Sequence, residues 1–441
     1  MSSSNCNKEM KVQIISRETI KPSSPTPHHL RTHRLSLFDQ LAPPLYIPIL
    51  LFYSATSETN PSKKSDLLKD SLSKILTHFY PFAGRIKEGC TIDCNDHGAA
   101  YVEAQVDSDM FLLLKEPGID LLLQLLPCDP LEKLPEPSAQ VILAVQVNYF
   151  ACGGMAICVC VRHVVADASA AAAFVKSWAA VASGVDIVLD AVIYDCTSLF
   201  PPQDLSGLWK TIEKSRNVLL AEVVTKRFIF DGSKIAALRN EIGNGLSLYR
   251  PTRVEALSSL IWNAIIAGHT EEGEIVPMHV ATTAMNLRKR MNPPLPQLCM
   301  GNIYHITMAN LSMAKTKSLS SLAEKIHESI LKIDDKFVRQ YFGSGAHLNV
   351  VKNMAAEVGK SSKAGLFNFS SWCRFPFYET DFGWGKPVWF ATALRLNKLA
   401  IFLDTRDGKG IEAWIGLTKE EMTKLEQDPG ILAYASINPS I

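Results

Sequence analysis

The chain has 441 residues, of which 47% are hydrophobic and 20% are charged. This composition is typical of a folded globular protein and excludes a disordered or fibrous chain, and the length predicts two large domains rather than one small core. Lys and Arg total 45 against 44 Asp and Glu, a net charge of +1. A nucleic-acid partner is therefore not expected, because neutralising a phosphate backbone requires an excess of basic residues.

The first half of the chain is predicted to alternate strands with helices. From apolar periodicity we expect, in chain order, a strand over 11–20, a helix over 67–79, a strand near 85, a hairpin of strands over 141–149 and 155–161, and a helix over 168–183. The second strand of the hairpin is apolar throughout, which is typical of a strand buried on both faces.

The second half repeats this alternation. Expected there are a strand over 226–230, a helix over 254–265 that begins with a Thr252–Glu255 capping box, a hairpin of strands over 400–404 and 411–417, and a second capping box at Thr418–Glu421. Pro, Gly and Ser collect over 201–223. We therefore predict an α/β protein with domains over 1–205 and 226–441, joined by a crossover over 206–225.

The cysteines and the N-terminal sequence indicate the cellular compartment in which the protein is expected. The ten cysteines include no CxxC pair and no Cys/His group at zinc spacing, so we expect reduced thiols and no metal site. Residues 1–16 are polar, and the apolar stretch 41–53 is interrupted by three prolines. Neither a signal peptide nor a membrane span is predicted, and a cytoplasmic protein is the expectation.

One histidine, His163, stands where the predicted hairpin ends, four residues before Asp167. Ligand sites collect at strand ends in α/β folds, and an imidazole can accept a proton near neutral pH, so a general base is one interpretation. The alternative is a structural histidine followed by an aspartate that caps the next helix. The HxxxD pattern alone favours that alternative.

A second motif, DFGWG, occupies 381–385. Its glycines permit tight backbone geometry while Phe382 and Trp384 bury area, so it is interpreted either as a rigid turn held by aromatic packing or as a direct part of a site. A phosphate-binding GxxxxGK[ST] loop is excluded, since Met354 stands where that pattern needs a glycine, and the chain contains no GxSxG nucleophile motif.

Together, HVVAD over 163–167 and DFGWG over 381–385 resemble the BAHD acyltransferases, a plant family of CoA-dependent enzymes in which both motifs occur in this order. Further stretches of the same type are LSLFDQL (35–41), HFYPFAGR (78–85), NLRKRMNPPLP (286–296), MGN (300–302) and LDTRDGKGIEAW (403–414). Within the family they look closest to the alkaloid and terpenoid O-acetyltransferases.

The resemblance implies two similar-sized domains of mixed sheets with flanking helices, as in chloramphenicol acetyltransferase, and a solvent channel between them with His163 at its middle. By this reading His163 removes the proton of an acceptor hydroxyl, whose oxygen attacks the thioester of a bound acyl-CoA. The acyl-CoA is a co-substrate, no cofactor is bound permanently, and no acyl-enzyme forms. A monomer is expected.

The resemblance also assigns roles to other residues. Asp167 is expected to pair with Arg288 and so to orient the loop that carries His163. Asp381 is expected to be structural, although a role as a second proton acceptor is also assigned to it. Its expected structural support consists of Gly383, Trp384 and Gly385.

Two further expectations concern the substrates. Ser371, Trp372 and Arg374 resemble the part of the family that lies near CoA. Asn302 is a candidate for the channel wall or for binding the oxyanion, with a structural turn residue as the alternative.

The expected reaction is acetyl transfer from acetyl-CoA to a hydroxyl of a bulky, largely apolar plant metabolite, such as an alkaloid or terpenoid alcohol. One alternative is transfer of a longer or aromatic acyl group, or transfer to an amine. Another is a noncatalytic protein that binds a metabolite or a partner protein. Enzymes like chloramphenicol acetyltransferase and condensation enzymes share HxxxD but do not account for DFGWG. The acceptor and the position acylated are left open.

Overall fold

The structure is a computed structural model that describes residues 10–56, 60–87, 90–132, 140–185, 191–205, 222–243, 250–271, 276, 278–312, 318–343 and 365–441. Most of the predicted crossover, residues 206–221, lies outside these ranges. Strand β9 begins at Val223 rather than at 226, so the last residues assigned to the crossover already belong to a sheet.

Within these ranges the strands are β1 (Val12–Ile20), β2 (Thr32–Arg34), β3 (Tyr46–Tyr53), β4 (Arg85–Lys87), β5 (Thr91–Asp93), β6 (Ala99–Val106), β7 (Leu143–Phe150), β8 (Met155–Arg162), β9 (Val223–Phe230), β10 (Met278–Asn286), β11 (Tyr304–Ser312), β12 (Gly365–Ser371), β13 (Trp389–Ala391), β14 (Leu399–Asp404), β15 (Ile411–Thr418) and β16 (Ser436–Ile437).

The α-helices of the same ranges are α1 (Leu37–Leu41), α2 (Pro61–His78), α3 (Met110–Lys115), α4 (Ile119–Gln124), α5 (Ala168–Ala182), α6 (Cys196–Leu199), α7 (Gly232–Gly243), α8 (Arg253–Glu271), α9 (Leu319–Leu331), α10 (Asp335–Gly343), α11 (Lys419–Gln427) and α12 (Pro429–Tyr434).

Two large mixed sheets and one small sheet organise these elements. The first large sheet has the strand order β1-β6-β7-β8-β3-β13, and the second has the order β11-β10-β12-β14-β15-β9-β16. Strands β6 and β7 are parallel, as are β10, β12 and β14, whereas the other pairs are antiparallel. The predicted α/β class with two mixed sheets is confirmed.

The predicted hairpin forms the middle of the first sheet as β7 and β8, and both capping boxes are present at the starts of α8 and α11. Helix α2 begins six residues before the predicted residue 67, because Asn60 caps it and Pro61 occupies its first turn. Strands β6, β10, β11 and β12 were not predicted.

Strand β3 was also not predicted, because Pro48 lies inside it. All eight of its residues are buried, and it pairs with β8 along its whole length. Its other neighbour, β13, covers only residues 50–52 of β3. The carbonyl of Pro48 accepts a hydrogen bond from the Thr392 hydroxyl on the β13 side of the strand. Because β13 does not extend to Pro48, no strand on that side needs the backbone N–H that proline lacks.

The two large sheets are joined by a strand that crosses between them. Strand β13 belongs to the second half of the sequence but pairs with β3 of the first sheet. Its Trp389 stacks on Phe52 at 4.9 Å, and its indole N–H donates to Glu412 of the second sheet at 3.3 Å. Glu412 forms a buried ion pair with Arg227, N to O 2.8 Å.

Replacing Arg227 by Met should therefore lower the free energy of unfolding by about 3–5 kcal/mol, because it leaves the Glu412 carboxylate buried without its partner. Urea unfolding followed by tryptophan fluorescence would measure this loss. The double variant Arg227→Met/Glu412→Gln should recover part of it, since no isolated charge remains. Additive losses from the two substitutions would contradict this interpretation of the pair.

Candidate active site

His163 lies directly after the buried strand β8, as predicted. Its backbone N–H donates to the carbonyl of Leu45 at 2.9 Å, which ties the turn to the residue just before β3. Asp167 then caps α5, with its Oδ1 accepting from the N–H of Ala170 at 2.8 Å. Helix α5 packs on α2, where the Trp178 indole donates to Ser71 at 3.0 Å. The turn with His163 is thus fixed at both ends.

Asp167 forms the expected ion pair with Arg288. Its Oδ2 lies 2.8 Å from Arg288 Nη1 and also accepts from the N–H of Ile303 at 2.9 Å. Arg288 is 3% exposed and donates further to the carbonyls of Cys299 and Gly301. The pair therefore holds the turn of His163 against the second half of the chain.

Asn302 contacts His163 directly. Its Oδ1 lies 3.0 Å from Nδ1 of the imidazole, and its Nδ2 donates to the His163 carbonyl at 2.7 Å. The second hydrogen of the amide goes to Asp39 Oδ1 at 2.8 Å. Asn302 is fully buried and both donor hydrogens are used. The expectation that it forms the channel wall or binds the oxyanion therefore does not fit its position.

This network determines the tautomer of His163. Because Nδ2 of Asn302 faces two oxygen acceptors, its Oδ1 must face the imidazole, and Nδ1 must then carry the proton. The lone pair of the neutral ring is left on Nε2, for which the described part of the chain supplies no hydrogen-bond partner. Burial lowers the pKa of His163 below its usual value, so the ring is neutral at physiological pH.

Tyr304 stands at the start of β11 beside the imidazole. The two ring centroids are 5.8 Å apart with the planes at 48°. Burial is the main cause that raises the pKa of Tyr304, with the charges of Asp167 and Asp39 adding to it. Its phenol therefore stays protonated. Sequence patterns did not point to this residue.

Asp39 was missed as a site residue, although it lies in the LSLFDQL stretch. It is the third residue of α1 in a capping box with Ser36, and the Ser-x-x-Asp spacing is a readable signal for that helix start. Its contact with Asn302 joins residues 263 positions apart. No local pattern predicts a contact over that separation.

The DFGWG motif forms a turn. Asp381 Oδ1 accepts from the N–H groups of Gly383 and Gly385 at 2.8 and 2.9 Å, and both glycines have φ of +103°, which favours glycine. Phe382 is fully buried and packs edge-on against Trp178, while Trp384 stacks on Phe382. Asp381 and His163 share no hydrogen bond in the described structure.

The residues predicted near CoA lie at the end of β12. Trp372 is buried against Phe377 and Phe390, and Ser371 accepts from the N–H of Cys373 at 3.4 Å. Arg374 has a positive φ of 67° and lines an open pocket of about 750 Å³. The other lining residues are Asp231, Gly232, Ser233, Arg253, Asp404, Asp407, Gly408 and Lys409. Of the three predicted residues, only Arg374 lines this pocket.

Neither a metal site nor a membrane-spanning helix is present within the described ranges. There, His, Cys, Asp and Glu side chains do not gather in threes at a spacing that could hold a metal ion. Of the helices described, none has the length and apolar character needed to cross a membrane.

Comparison with known proteins identifies the family. The model of the Transferase family matches residues 10–432. A limonoid 1-O-acetyltransferase of Citrus sinensis is 46% identical over 98% of this chain and 100% of its own length. Stemmadenine O-acetyltransferase of Catharanthus roseus is 37% identical over 95% and 96% of the two chains.

Solved structures agree. Vinorine synthase superposes with a TM-score of 0.82 at 34% identity, covering 97% of this chain and 99% of its own. TRI101 of F. sporotrichioides, solved with coenzyme A and T-2, shares the fold with a TM-score of 0.73 at 18% identity over 92% and 99% of the chains. The chain belongs to the Transferase family of BAHD acyltransferases. It is an acyltransferase, similar to plant limonoid and alkaloid O-acetyltransferases.

Proposed function

We propose that this acyltransferase moves the acetyl group of acetyl-CoA to a hydroxyl of a bulky, largely apolar plant metabolite, a terpenoid or alkaloid alcohol, with His163 as the general base. The observation that carries the proposal is the contact between His163 Nδ1 and the Asn302 amide oxygen. It leaves the Nε2 lone pair to accept a proton. The named activities of the relatives support the acetyl donor and the alcohol class.

In the proposed reaction Nε2 takes the proton of the acceptor hydroxyl as its oxygen bonds to the thioester carbonyl carbon. The tetrahedral oxyanion then collapses, the carbon–sulfur bond breaks, and the imidazolium returns the proton to the leaving thiolate. Acetyl-CoA and alcohol become ester and CoA thiol, and His163 ends neutral. Asp167 and Arg288 hold the turn and take no proton. Asp381 shapes its own turn.

The pocket at Arg374 is the proposed site for CoA phosphates. Arg253 and Lys409 line it together with Arg374, and it includes the N-terminus of α7 at Gly232 and Ser233. Cationic side chains and free helical N–H groups both favour phosphate oxygens. Arg253 is already paired with Asp404 at 2.8 Å. Within the described structure, no carboxylate pairs with the Arg374 guanidinium, which leaves it available.

Replacing Arg374 by Ala should raise KM for acetyl-CoA by roughly 10- to 100-fold with little change in kcat, because a hydrogen bond to a charged group contributes about 1.5–3 kcal/mol. Steady-state kinetics at saturating acceptor would measure it. Arg406→Ala is the matched control, since Arg406 is exposed and nearby but outside the pocket lining. Equal KM values for the two variants would place the phosphates elsewhere.

The function is tested by incubating the protein with acetyl-CoA and a panel of limonoid, alkaloid and phenylpropanoid alcohols, with thiol release and ester formation measured together. Each alcohol is paired with its O-methyl ether, in which the attacking hydroxyl is blocked. We expect thiol and ester in equal amounts from a terpenoid or alkaloid alcohol and neither from its ether. Transfer only from longer or aromatic acyl-CoA donors, or only to amines, would contradict the proposal.

A cytoplasmic monomer with a solvent channel between the two large sheets, without membrane attachment, is also part of this proposal. Gel filtration with light scattering would test the oligomeric state. The family and the similar relatives support the reaction class, and the position of His163 between residues of both halves supports a site between the sheets.

A further inference from the structure

Asp39 is a buried carboxyl group that the proposed reaction does not use. It is 2% exposed and accepts four hydrogen bonds. Oδ2 accepts from Ser36 N at 2.9 Å and Ser36 Oγ at 2.7 Å, and Oδ1 accepts from Asn302 N at 2.7 Å and Asn302 Nδ2 at 2.8 Å. One oxygen therefore serves the start of α1, and the other serves only Asn302.

Helix capping alone does not explain this residue. Helix α1 has five residues, and its capping bonds occupy only Oδ2. A neutral side chain could cap it without burying a charge, which costs free energy unless the charge is paired. In the described ranges no Lys, Arg or His forms an ion pair with Asp39. Burial raises the pKa of Asp39 to about 6, so the group is still a carboxylate at pH 7.5.

A carboxylate can only accept hydrogen bonds, so Asp39, together with the carbonyl of His163, fixes the orientation of the Asn302 amide. With Oδ1 of Asp39 beside it, the amide must present its NH₂ group to Asp39, and its oxygen is left for Nδ1 of His163. Had the amide rotated by half a turn, its NH₂ would face Nδ1. Nδ1 would then have to accept, and the proton would move to Nε2.

We propose that Asp39 is a positioning residue that acts through Asn302 to keep the proton of His163 on Nδ1 and the lone pair on Nε2. In catalytic triads a carboxylate that binds the histidine directly holds the imidazole in the required tautomer. Here Asp39 would have the same effect on His163 through the Asn302 amide. The inference rests on His163 being the general base, as proposed above. It adds a contribution from the first half of the chain, relayed through the second.

The first test measures the tautomer of His163 by ¹⁵N NMR of histidine-labelled protein, with the His163 signals identified by their absence in His163→Gln. We expect protonated Nδ1 in the wild type and a shift of population to protonated Nε2 in Asp39→Asn and in Asn302→Ala. Wild-type protein with the proton on Nε2, or an Asn302→Ala variant that keeps it on Nδ1, would overturn the proposal even if no Asp39 variant folds.

The second test separates positioning from capping. Ser36→Ala removes a capping bond from the same box but leaves the Asp39–Asn302 contacts in place, so it should lower stability and leave kcat near wild type. Asp39→Asn should lower kcat by roughly 10²-fold with KM little changed, since a positioned base contributes about 10²–10⁴-fold. Equal effects of the two variants on kcat would reduce Asp39 to a cap and overturn the proposal.

A double-mutant cycle checks the path of the effect. If Asp39 acts through Asn302, the substitution Asp39→Asn should change kcat little in a protein that already carries Asn302→Ala. Multiplying losses would contradict the relay. The experiments distinguish a failure of this inference from a failure of the proposed function. If His163→Gln keeps its activity, the general base itself is wrong, whereas an essential His163 with an unaffected Asp39→Asn variant removes only the relay.

Discussion

Replacing His163 by Ala should lower kcat by roughly 10²–10⁴-fold while KM for acetyl-CoA stays near its wild-type value, because the variant loses the proton acceptor but no group of the proposed CoA pocket. The contact of Nδ1 with the Asn302 amide oxygen leaves Nε2 as the free ring nitrogen, and this is the proton acceptor that the variant loses. Thiol release from acetyl-CoA with a reactive alcohol would measure the loss.

The matched control for this prediction is His97→Ala, since His97 is exposed and lies in the loop between β5 and β6. It should retain wild-type kcat. Circular dichroism and urea unfolding would show whether each variant is folded. A folded His163→Ala protein whose kcat is within a few-fold of wild type would show that another group accepts the proton.

Replacing Asp167 by Ala should lower the free energy of unfolding by about 3–5 kcal/mol, because Arg288 is then left buried without its partner. The variant also loses the bond that caps α5 at Ala170, which contributes about 1 kcal/mol. We expect kcat to fall as well, since Asp167 holds the backbone of Ile303 next to Asn302. Urea unfolding and kinetics on the same preparation would measure both.

Two further variants separate charge from capping. Asp167→Asn keeps an oxygen that can cap α5. Its loss of unfolding free energy should therefore exceed that of Arg288→Met only slightly. The double variant Asp167→Asn/Arg288→Met removes both charges. Its loss of unfolding free energy should therefore be smaller than the sum of the losses of the two single variants. If the single losses simply add, the ion pair is not what fixes this turn.

The sequence predicted the elements whose patterns are local. The hairpin β7–β8, the strands β14 and β15 and the capping boxes at Thr252 and Thr418 were found because their signals lie within a few residues. Strand β3 was hidden by Pro48, which only the short length of β13 makes tolerable. The short length of the neighbouring strand is a property of the assembled sheet, so the sequence of β3 alone does not predict it.

The candidate site divides in the same way. His163 and the Asp167 cap follow from the strand end and the helix start, and the pairing of Asp167 with Arg288 was implied by the family resemblance and is present. The role of Asn302 depends on which of its amide groups meets Asp39 and which meets His163. Those contacts join distant parts of the chain. The sequence therefore identified Asn302 as a candidate residue but did not predict its contacts with Asp39 and His163.

The central claim is that His163 accepts a proton from the alcohol and never carries the acetyl group. It is tested most directly by mixing the protein with acetyl-CoA in stoichiometric amounts and recording thiol release and intact protein mass, first without acceptor and then with it. We predict an unmodified protein and no rapid thiol release until the alcohol is added, then one ester for each thiol. Rapid thiol release without alcohol, with one acetyl group on His163, would contradict this account and indicate an acyl-enzyme.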